Sequence, residues 1–231
     1  MATSRSNGIP VPAVRRLSLY LRQLESLAAN SRKTVSSRQL GEALGLTDAQ
    51  VRKDLAYFGQ FGHPGVGYRV NELVTRVRSI LGTDKTWNVL LVGAGNLGRA
   101  LFCYRGFTKK GFQIVAIFDR NPAVIGTHPD PSRRIPVQPM GELDETVRRR
   151  NIRLAILAVP ADHAQSVARE VLDAGVRGIL NFAPVALRLD ESVPVAAVDL
   201  SVHLEQLSFQ LAGAPPQPKR NAVHAAARRR R

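Results

Sequence analysis

The sequence predicts an α/β protein in which a small helical domain precedes a doubly wound parallel sheet and a final helix. Three observations predict this order. Two short amphipathic segments flank a glycine near residue 45, apolar runs alternate with helical segments from Trp87 onward, and a glycine-rich turn follows the first apolar run. Strands that alternate with helices along a chain are typical of a parallel sheet with helices on both faces.

The positive charge of the chain lies mainly at its two ends. The net charge is +15, of which residues 1–85 carry +7, residues 86–213 carry +2 and residues 214–231 carry +6. A basic domain indicates a polyanionic partner, and nucleic acid is the first candidate. No run of about 18 apolar residues is present, so no membrane-spanning helix is expected. The single cysteine, Cys103, excludes an internal disulfide and indicates a reducing, cytoplasmic compartment.

Residues 12–85 form the first predicted domain, after residues 1–11, which are expected to be disordered. Apolar residues recur at three-to-four spacing from Val14 to Ala28, which predicts a helix with one buried face. A further amphipathic stretch, NELVTRVRSIL, predicts a helix that ends the domain before the linker GTDKT.

The middle of this domain has a helix-turn-helix pattern around Gly45. Ser36 or Ser37 can cap the first short helix, and Thr47 can cap the second. The turn-rich stretch that follows, GQFGHPGVGYRV, has flanks that can pair as a short β-hairpin. Three helices followed by a hairpin predict a winged helix-turn-helix domain.

The polar side chains of this pattern suit double-stranded DNA. Gln50, Arg52 and Lys53 lie in the first turns of the second helix, where a recognition helix meets base edges and phosphates. Arginine can bind guanine with two hydrogen bonds, and glutamine can read adenine. The alternative is a helical cap whose charged face is simply solvated. The predicted DNA-binding residues are Ser36, Ser37, Thr47, Gln50, Arg52, Lys53 and Arg69.

Residues 86–200 form the second predicted domain, a Rossmann-like sheet. The run WNVLLVG is apolar throughout, as a strand buried on both faces should be. The other predicted strands lie in FQIVAIFD, IRLAILAVP, GILNFAP and VPVAAVDL. Residues 201–213 predict a last helix that is apolar around much of its surface, which a partner subunit would bury. Residues 214–231 predict a disordered basic tail.

Gly93, Gly95 and Gly98 form a G-x-G-x-x-G sequence between a strand and a helix. This arrangement allows a tight turn, a close approach of pyrophosphate to the backbone and close packing of the helix on the strand. Asp119 ends the next strand and can accept hydrogen bonds from both ribose hydroxyls, which favours NAD(H) over NADP(H). Arg120 could instead attract a 2′-phosphate. The nucleotide-binding residues predicted here are Gly93, Ala94, Gly95, Asn96, Leu97, Gly98, Asp119 and Arg120.

No catalytic group accompanies this predicted nucleotide site. His163 follows a strand, but it lies where a helix begins, which favours a structural or solvent-facing position. Asn181 could bind a carboxamide or a ribose, but it is neither an acid nor a base. No metal site is predicted, because paired cysteines are absent. The sequence therefore favours a protein that binds the nucleotide without turning it over.

Several stretches resemble the Rex family of redox-sensing transcriptional repressors. SSRQLGEALGLTDAQVRKDLAYFGQFGHPGVGYRV is very similar to its DNA-binding domain. VGAGNLGRAL, GFQIVAIFDRNP, AVPADHAQ, GILNFAP and VDLSVHLEQLSFQL are similar to parts of its nucleotide domain, so the resemblance covers about residues 12–212. It implies a homodimeric repressor of the bacterial cytoplasm that binds operator DNA when NADH is low relative to NAD+ and that NADH releases. It also implies a C-terminal helix exchanged between the two subunits.

The resemblance implies roles for individual residues. Arg52 and Lys53 would read the DNA, the glycine loop would hold the pyrophosphate, and Asp119 would bind the adenosine ribose. Asn121 stands where the family pattern has a second acidic residue, so a less strict preference for NADH over NADPH is expected. The residues expected near the nicotinamide are Val159, Pro160, Asn181 and Phe182.

The apolar residues of that set are expected to favour neutral dihydronicotinamide over the cationic ring of NAD+. NADH would then favour a closed dimer whose recognition helices no longer match two half-sites of the operator. Arg22, Tyr104 and Asp199 are candidate coupling residues, since the arginine and the carboxylate could form an ion pair in only one state. Two alternatives remain: a dehydrogenase with an appended DNA-binding domain, and a sensor of another nucleotide such as a coenzyme A derivative.

Overall fold

The computed structural model describes residues 9–62 and 66–212, and these form two compact units. The first unit extends to Asn88 and also includes Tyr104–Gln113. The second unit consists of Val89–Cys103 and the described residues from Ile114 onward. The end of the first unit lies near the predicted boundary at residue 85. The return of residues 104–113 to the first unit was not predicted.

Both predicted disordered ends lie largely outside the described residues, which exclude residues 1–8 and 213–231. Val11, placed in the disordered N-terminus by the sequence prediction, is the first residue of a helix. The elements in chain order are α1 (Val11–Ala29), β1 (Thr34–Val35), α2 (Ser37–Leu44), α3 (Asp48–Ala56), β2 (Tyr68–Arg69), α4 (Val70–Leu81), β3 (Trp87–Val92), α5 (Asn96–Cys103), α6 (Gly106–Lys109), β4 (Phe112–Asp119), β5 (Val137–Pro139), α7 (Leu143–Arg149), β6 (Leu154–Leu157), α8 (Ala161–Asp173), β7 (Gly178–Asn181), β8 (Val195–Ala197) and α9 (Leu200–Ala212).

The helix-turn-helix is formed by α2 and α3. Ser36 caps α2 in a reciprocal capping box with Gln39, and Thr47 caps α3. Gly45 ends α2 in the left-handed conformation with φ of +67°. A Cβ on Gly41 would lie 2.6 Å from the Leu46 carbonyl oxygen, so only glycine allows the two helices to approach this closely. The sequence prediction of this motif is therefore confirmed.

The turn of the predicted hairpin, residues 63–65, lies outside the described residues, and its described N-terminal flank, residues 59–62, contains no strand. Tyr68–Arg69 pairs antiparallel with β1, the strand before α2, so that Thr34 lies opposite Arg69. Gly67 makes this pairing possible, because a Cβ there would lie 2.7 Å from the Val35 carbonyl oxygen. The hydrophobic core of the unit is made of buried residues from α1, β1, α2, α3, β2 and α4, including Leu17, Tyr20, Leu24, Leu40, Val51, Leu55 and Leu73.

The second unit is a six-stranded sheet with the order β5-β4-β3-β6-β7-β8. The β4–β5, β3–β6, β6–β7 and β7–β8 pairs are all parallel. This is the strand order of the doubly wound dinucleotide-binding fold, in which the order reverses between the first and fourth strands, here β3 and β6. The last four residues of β3 are buried, as its apolar sequence predicted. The short edge strand β5 was not predicted.

The last helix is α9, and its apolar side chains are exposed in the single chain. The exposed fractions reach 67% for Leu204, 80% for Phe209 and 77% for Leu211. Among the described residues, no helix is both long and apolar enough to cross a membrane. The same residues contain no group of three or more His, Cys, Asp or Glu side chains that could hold a metal ion.

Candidate functional site

A cavity of about 470 Å³ lies in the second unit where the strand order reverses. Its walls come from the loops and helices that follow the carboxyl ends of β3, β4, β6 and β7, the position at which doubly wound sheets bind ligands. We call it the nucleotide cavity. Its lining residues are Val92, Gly93, Gly95, Asn96, Leu97, Asp119, Arg120, Ala158, Val159, Pro160, His163, Val167, Phe182 and Pro184.

The three glycines of the loop between β3 and α5 have different surroundings. Gly93 has φ of +102°, and a Cβ there would lie 2.3 Å from the Ala158 carbonyl oxygen. A Cβ on Gly98 would lie 1.8 Å from the Gly93 carbonyl oxygen. Apart from its chain neighbours, Gly95 has no protein atom within 4 Å of its Cβ position, and it lines the cavity. Protein packing therefore requires the first and third glycines, whereas the space beside the second is free for a ligand.

The carboxylate of Asp119 ties the glycine loop to the end of β4. It accepts hydrogen bonds from the backbone N–H of Ala94 (2.6 Å) and of Asn121 (2.8 Å), one on each oxygen. Each carboxylate oxygen can accept a further bond, and Asp119 lines the cavity. The residue is thus held in place with acceptor capacity left for a ligand. Ala94 takes part through its N–H and does not line the cavity.

Arg120 is engaged by a carboxylate that the sequence analysis did not identify. Its guanidinium forms an ion pair with Glu170 of α8, and both side chains are nearly half exposed. This pairing offsets the positive charge of Arg120, so the attraction of a 2′-phosphate to this residue is reduced. No rule of spacing in the sequence relates these two residues, which are 50 positions apart.

The Asn181 side chain contacts the backbone of the loop that follows β7, and its predicted contact with a ligand stays a prediction. It is buried, and its amide nitrogen donates to the carbonyl oxygens of Ala183 (3.2 Å) and Val185 (2.9 Å). Its amide oxygen accepts from the backbone N–H of Ala183 (3.0 Å). The side chain does not line the cavity, and instead it shapes the loop that places Phe182 and Pro184 in the wall.

Five lining residues were absent from the sequence prediction. They are Val92, Ala158, His163, Val167 and Pro184. His163 lies in the first turn of α8, directly after the carboxyl end of β6. The rule that ligands bind at this edge of the sheet could have identified it, whereas its position at a helix start favoured a purely structural reading.

The second candidate site is the surface of the helix-turn-helix. Thr47, Arg52, Lys53 and Arg69 are exposed, and Ser36, Ser37 and Gln50 are partly buried. The Arg52 guanidinium donates to a carboxylate oxygen of Asp48 (2.6 Å) and to the Ser37 hydroxyl oxygen (3.2 Å). The hydrogen bond from Arg52 lowers the pKa of Asp48 below its usual value. Arg52 is therefore held across the turn, between the first residues of both helices.

Gln50 faces a buried carboxylate. Its amide donates to Asp54 (2.7 Å), which also accepts two bonds from the Arg16 guanidinium (2.5 and 2.8 Å) and one from the Tyr20 hydroxyl (2.7 Å). Burial of Asp54 opposes its ionisation, but the hydrogen bonds from Arg16, Tyr20 and Gln50 lower its pKa below the usual value. Burial and the bond to Asp54 raise the pKa of Tyr20. Base reading by Gln50 would require this contact to break.

Replacing Arg16 with Met should destabilise the protein by about 3 kcal/mol, because Asp54 is fully buried and would lose its charged partner. Urea unfolding at pH 7 measures this. Arg15→Met, one residue earlier and exposed, should change stability by less than about 0.5 kcal/mol. An equal loss of stability in Arg16→Met and Arg15→Met would contradict the role given to the buried pair.

The stability that the ionised Asp54 contributes should also depend on pH. Because folding lowers the pKa of Asp54, this stability is present above the ordinary aspartate pKa of about 4 and is lost at lower pH.

The three predicted coupling residues lie in different surroundings. Arg22 is exposed on α1, and Tyr104 is 59% exposed with its ring edge-on to Phe107 at 5.1 Å between centroids. Asp199 accepts from the Ser201 N–H (2.9 Å) and hydroxyl (2.6 Å) at the start of α9, and these bonds lower its pKa. The predicted pairing of Arg22 with Asp199 stays a prediction.

Comparisons with known proteins match both sites. Residues 8–56 match the family model described as putative DNA-binding protein N-terminus, and residues 84–185 match the model described as CoA binding domain. The chain is 49% identical over 203 residues to the redox-sensing transcriptional repressor Rex of Carboxydothermus hydrogenoformans. The aligned region covers 88% of this chain and 96% of the relative. The chain belongs to the Rex family.

Solved structures support the same assignment. In a crystal structure of RSP in complex with β-NAD+ and operator DNA, the RSP chain shares 40% sequence identity with this chain and superposes with a TM-score of 0.83. The match covers 88% of this chain and 92% of RSP. A crystal structure of RSP in complex with β-NADH is 38% identical, with a TM-score of 0.79 and coverage of 89% and 95%. Rex relatives are named as transcriptional repressors, which are regulators rather than enzymes. The dehydrogenase alternative is therefore not supported.

Proposed function

We propose that this Rex-family protein is a transcriptional repressor that senses the ratio of NADH to NAD+. It binds operator DNA as a homodimer in the cytoplasm when NADH is low, and NADH releases it. The observation that carries the proposal is the similarity, over 88% of the chain, to a repressor solved with both β-NAD+ and operator DNA. One chain contains the nucleotide cavity and the exposed Arg52 of a helix-turn-helix.

The nucleotide part of the proposal rests on the glycine loop and Asp119. The free space beside Gly95 and the N-terminus of α5 suit a pyrophosphate, and the remaining acceptor capacity of Asp119 suits the ribose hydroxyls. Val159, Pro160 and Phe182 provide apolar walls that disfavour the cationic nicotinamide of NAD+ relative to neutral NADH. Such a difference in affinity is what a ligand needs to shift a conformational equilibrium.

The DNA part of the proposal rests on α3. Arg52 reads a guanine by exchanging its contact with Asp48 for the base edge, and Lys53 contacts phosphate or guanine. Ser36, Ser37, Thr47 and Arg69 contact the sugar-phosphate backbone or the adjacent groove. Gln50 contributes chiefly through Asp54, which fixes the inner side of the same helix.

The homodimer is supported by α9. Its exposed apolar residues would be unusual on a monomer, and a partner subunit that receives this helix would bury them. A dimer reading successive major grooves needs recognition helices about 34–36 Å apart, so a modest rotation of the subunits would break the match. Arg22, Tyr104 and Asp199 are proposed to report this rotation, with Asp199 exchanging Ser201 for Arg22 in one state.

A second candidate is a sensor of coenzyme A, favoured by the match of residues 84–185 to the CoA binding domain model. We expect NADH to bind the protein and coenzyme A not to compete with it.

Asp119→Ala should weaken NADH binding by about tenfold or more, because two hydrogen bonds from the ribose hydroxyls to the carboxylate are lost. NADPH binding should weaken less than NADH binding: both lose the support that Asp119 gives the glycine loop, but only NADPH gains from removal of a carboxylate that disfavours its 2′-phosphate.

Isothermal titration with NADH, NADPH and coenzyme A measures these affinities. Asp162→Ala is the control, because Asp162 is an exposed aspartate of α8 that does not line the cavity. Equal losses of NADH and NADPH affinity in Asp119→Ala would mean that the lost bond to the Ala94 N–H, rather than a ribose contact, accounts for the effect. Displacement of NADH by coenzyme A would favour the second candidate.

A further inference from the structure

The chain leaves the nucleotide-binding unit once and then returns to it. Cys103 is the last residue of that unit before the departure, and Ile114 is the first residue after the return. The residues between them, Tyr104–Gln113, pack with the DNA-binding unit. We call this ten-residue segment the excursion. It was not predicted from the sequence.

Both ends of the excursion continue into elements that line the nucleotide cavity. Its N-terminal end follows α5, whose first turn contributes Asn96 and Leu97 to the cavity wall. Its C-terminal end continues through β4 to Asp119 at the cavity. A displacement of either element by a bound nucleotide therefore reaches the excursion through the backbone itself.

A single arginine holds the two ends of the excursion together. The guanidinium of Arg133 donates to the carbonyl oxygens of Phe102 (2.6 Å) and Ile114 (2.8 Å), which flank the two points where the chain crosses between units. The same guanidinium lies 4.1 Å from the ring centroid of Phe102, which is fully buried. The two ends are thus constrained to move as a pair.

The middle of the excursion is anchored on the DNA-binding unit. The Lys110 ammonium forms an ion pair with Glu25 of α1, and Arg78 of α4 donates to the other oxygen of that carboxylate (2.9 Å). Partial burial of Glu25 opposes its ionisation, but the hydrogen bonds from Lys110 and Arg78 lower its pKa. The carbonyl oxygen of Gly111 also accepts a bond from the Trp87 N–H (2.7 Å).

Helix α1 connects this anchor to the recognition helix. The same helix that carries Glu25 also carries Arg16 and Tyr20, which bind the buried Asp54 of α3. The Lys110–Glu25 ion pair thus joins the excursion to α1, and the hydrogen bonds from Arg16 and Tyr20 to Asp54 join α1 to the inner side of α3. A continuous path of hydrogen bonds and packed elements of this kind is a physical route for coupling two sites.

We propose that the excursion transmits the nucleotide state to the DNA-binding unit and that the Lys110–Glu25 pair is its coupling contact. Lys110 and Glu25 are positioning residues in this proposal, because neither lines the nucleotide cavity nor belongs to the predicted DNA-binding surface. The proposal rests on the proposed function, since it concerns how NADH weakens operator binding. It predicts that breaking the pair separates two binding events without abolishing either.

The test measures three quantities for the full chain: NADH affinity without DNA, operator affinity without NADH, and the coupling factor. The coupling factor is the ratio of the operator Kd at saturating NADH to that without NADH, and a coupled protein typically shows about 5- to 150-fold. In Lys110→Met and in Glu25→Gln, the factor should fall to about twofold or less. The two separate affinities should each stay within about twofold of wild type, since neither residue contacts a ligand.

Two further variants make the result decisive. Lys110→Arg keeps the charge and should retain the wild-type coupling factor, and Lys109→Met removes a neighbouring exposed lysine and should also retain it. A wild-type coupling factor in both Lys110→Met and Glu25→Gln would overturn the proposal while leaving the proposed function intact. A coupling factor of one in the wild-type protein would overturn the proposed function and the proposal with it.

Discussion

Replacing Gly95 with Ala should leave the fold intact and weaken NADH and NAD+ binding by about tenfold or more. Apart from its chain neighbours, no protein atom lies within 4 Å of the Cβ position of Gly95, so the new methyl group meets no other part of the protein. In the proposed complex the pyrophosphate approaches the backbone at this point, and the methyl group would hold it away from the N–H groups at the start of α5. Fluorescence titration with NADH and a thermal unfolding scan measure the two effects.

Two other glycines are the controls for this prediction. Gly141 also has no atom within 4 Å of its Cβ position and does not line the cavity, so Gly141→Ala should change neither stability nor affinity. A Cβ on Gly98 would lie 1.8 Å from the Gly93 carbonyl oxygen, so Gly98→Ala should lower both together. Unchanged NADH affinity in Gly95→Ala would contradict the placement of the pyrophosphate.

Replacing Arg52 with Ala should reduce operator affinity by about 10- to 100-fold, the value of one bidentate arginine–guanine contact. Affinity for random DNA should fall much less, because it depends on phosphate contacts and total charge. NADH binding should not change, since Arg52 is remote in sequence from every residue of the nucleotide cavity and belongs to the other unit. Fluorescence anisotropy with operator and scrambled duplexes measures the ratio of the two affinities.

Arg76→Ala is the charge-matched control for Arg52→Ala. Arg76 is an exposed arginine of α4, and its loss removes the same charge without touching the helix-turn-helix. The control should lower operator and random-DNA affinity by similar, small factors. If Arg52→Ala kept the operator preference of the wild type, another residue of α3 would have to read the sequence.

The parts of the fold that the sequence predicted depend on neighbours along the chain. Ser36 and Thr47 cap their helices through atoms three residues away, and Gly45 ends α2 through its own backbone angle. The loop from Gly93 to Gly98 joins a strand to the helix that follows it directly. The resemblance to the Rex family was also based on these segments, and it predicted the same two-domain fold.

The parts that the sequence did not predict depend on contacts between distant residues. Arg120 meets Glu170 across 50 positions, Arg16 meets Asp54 across 38, and Lys110 meets Glu25 across 85. The periodicity of helices and strands in a single sequence carries no information about which distant residues form such pairs. For the same reason the pairing of β2 with β1 across the helix-turn-helix was not predicted.

In the proposed function, the oxidation state of the bound nucleotide sets the affinity of the protein for operator DNA. Its most direct test is operator binding by the purified protein at a fixed total concentration of NAD(H), with the ratio of NADH to NAD+ varied. We expect operator affinity to fall as the ratio rises, by at least about fivefold between the two extremes. Operator affinity that is the same at every ratio would contradict it.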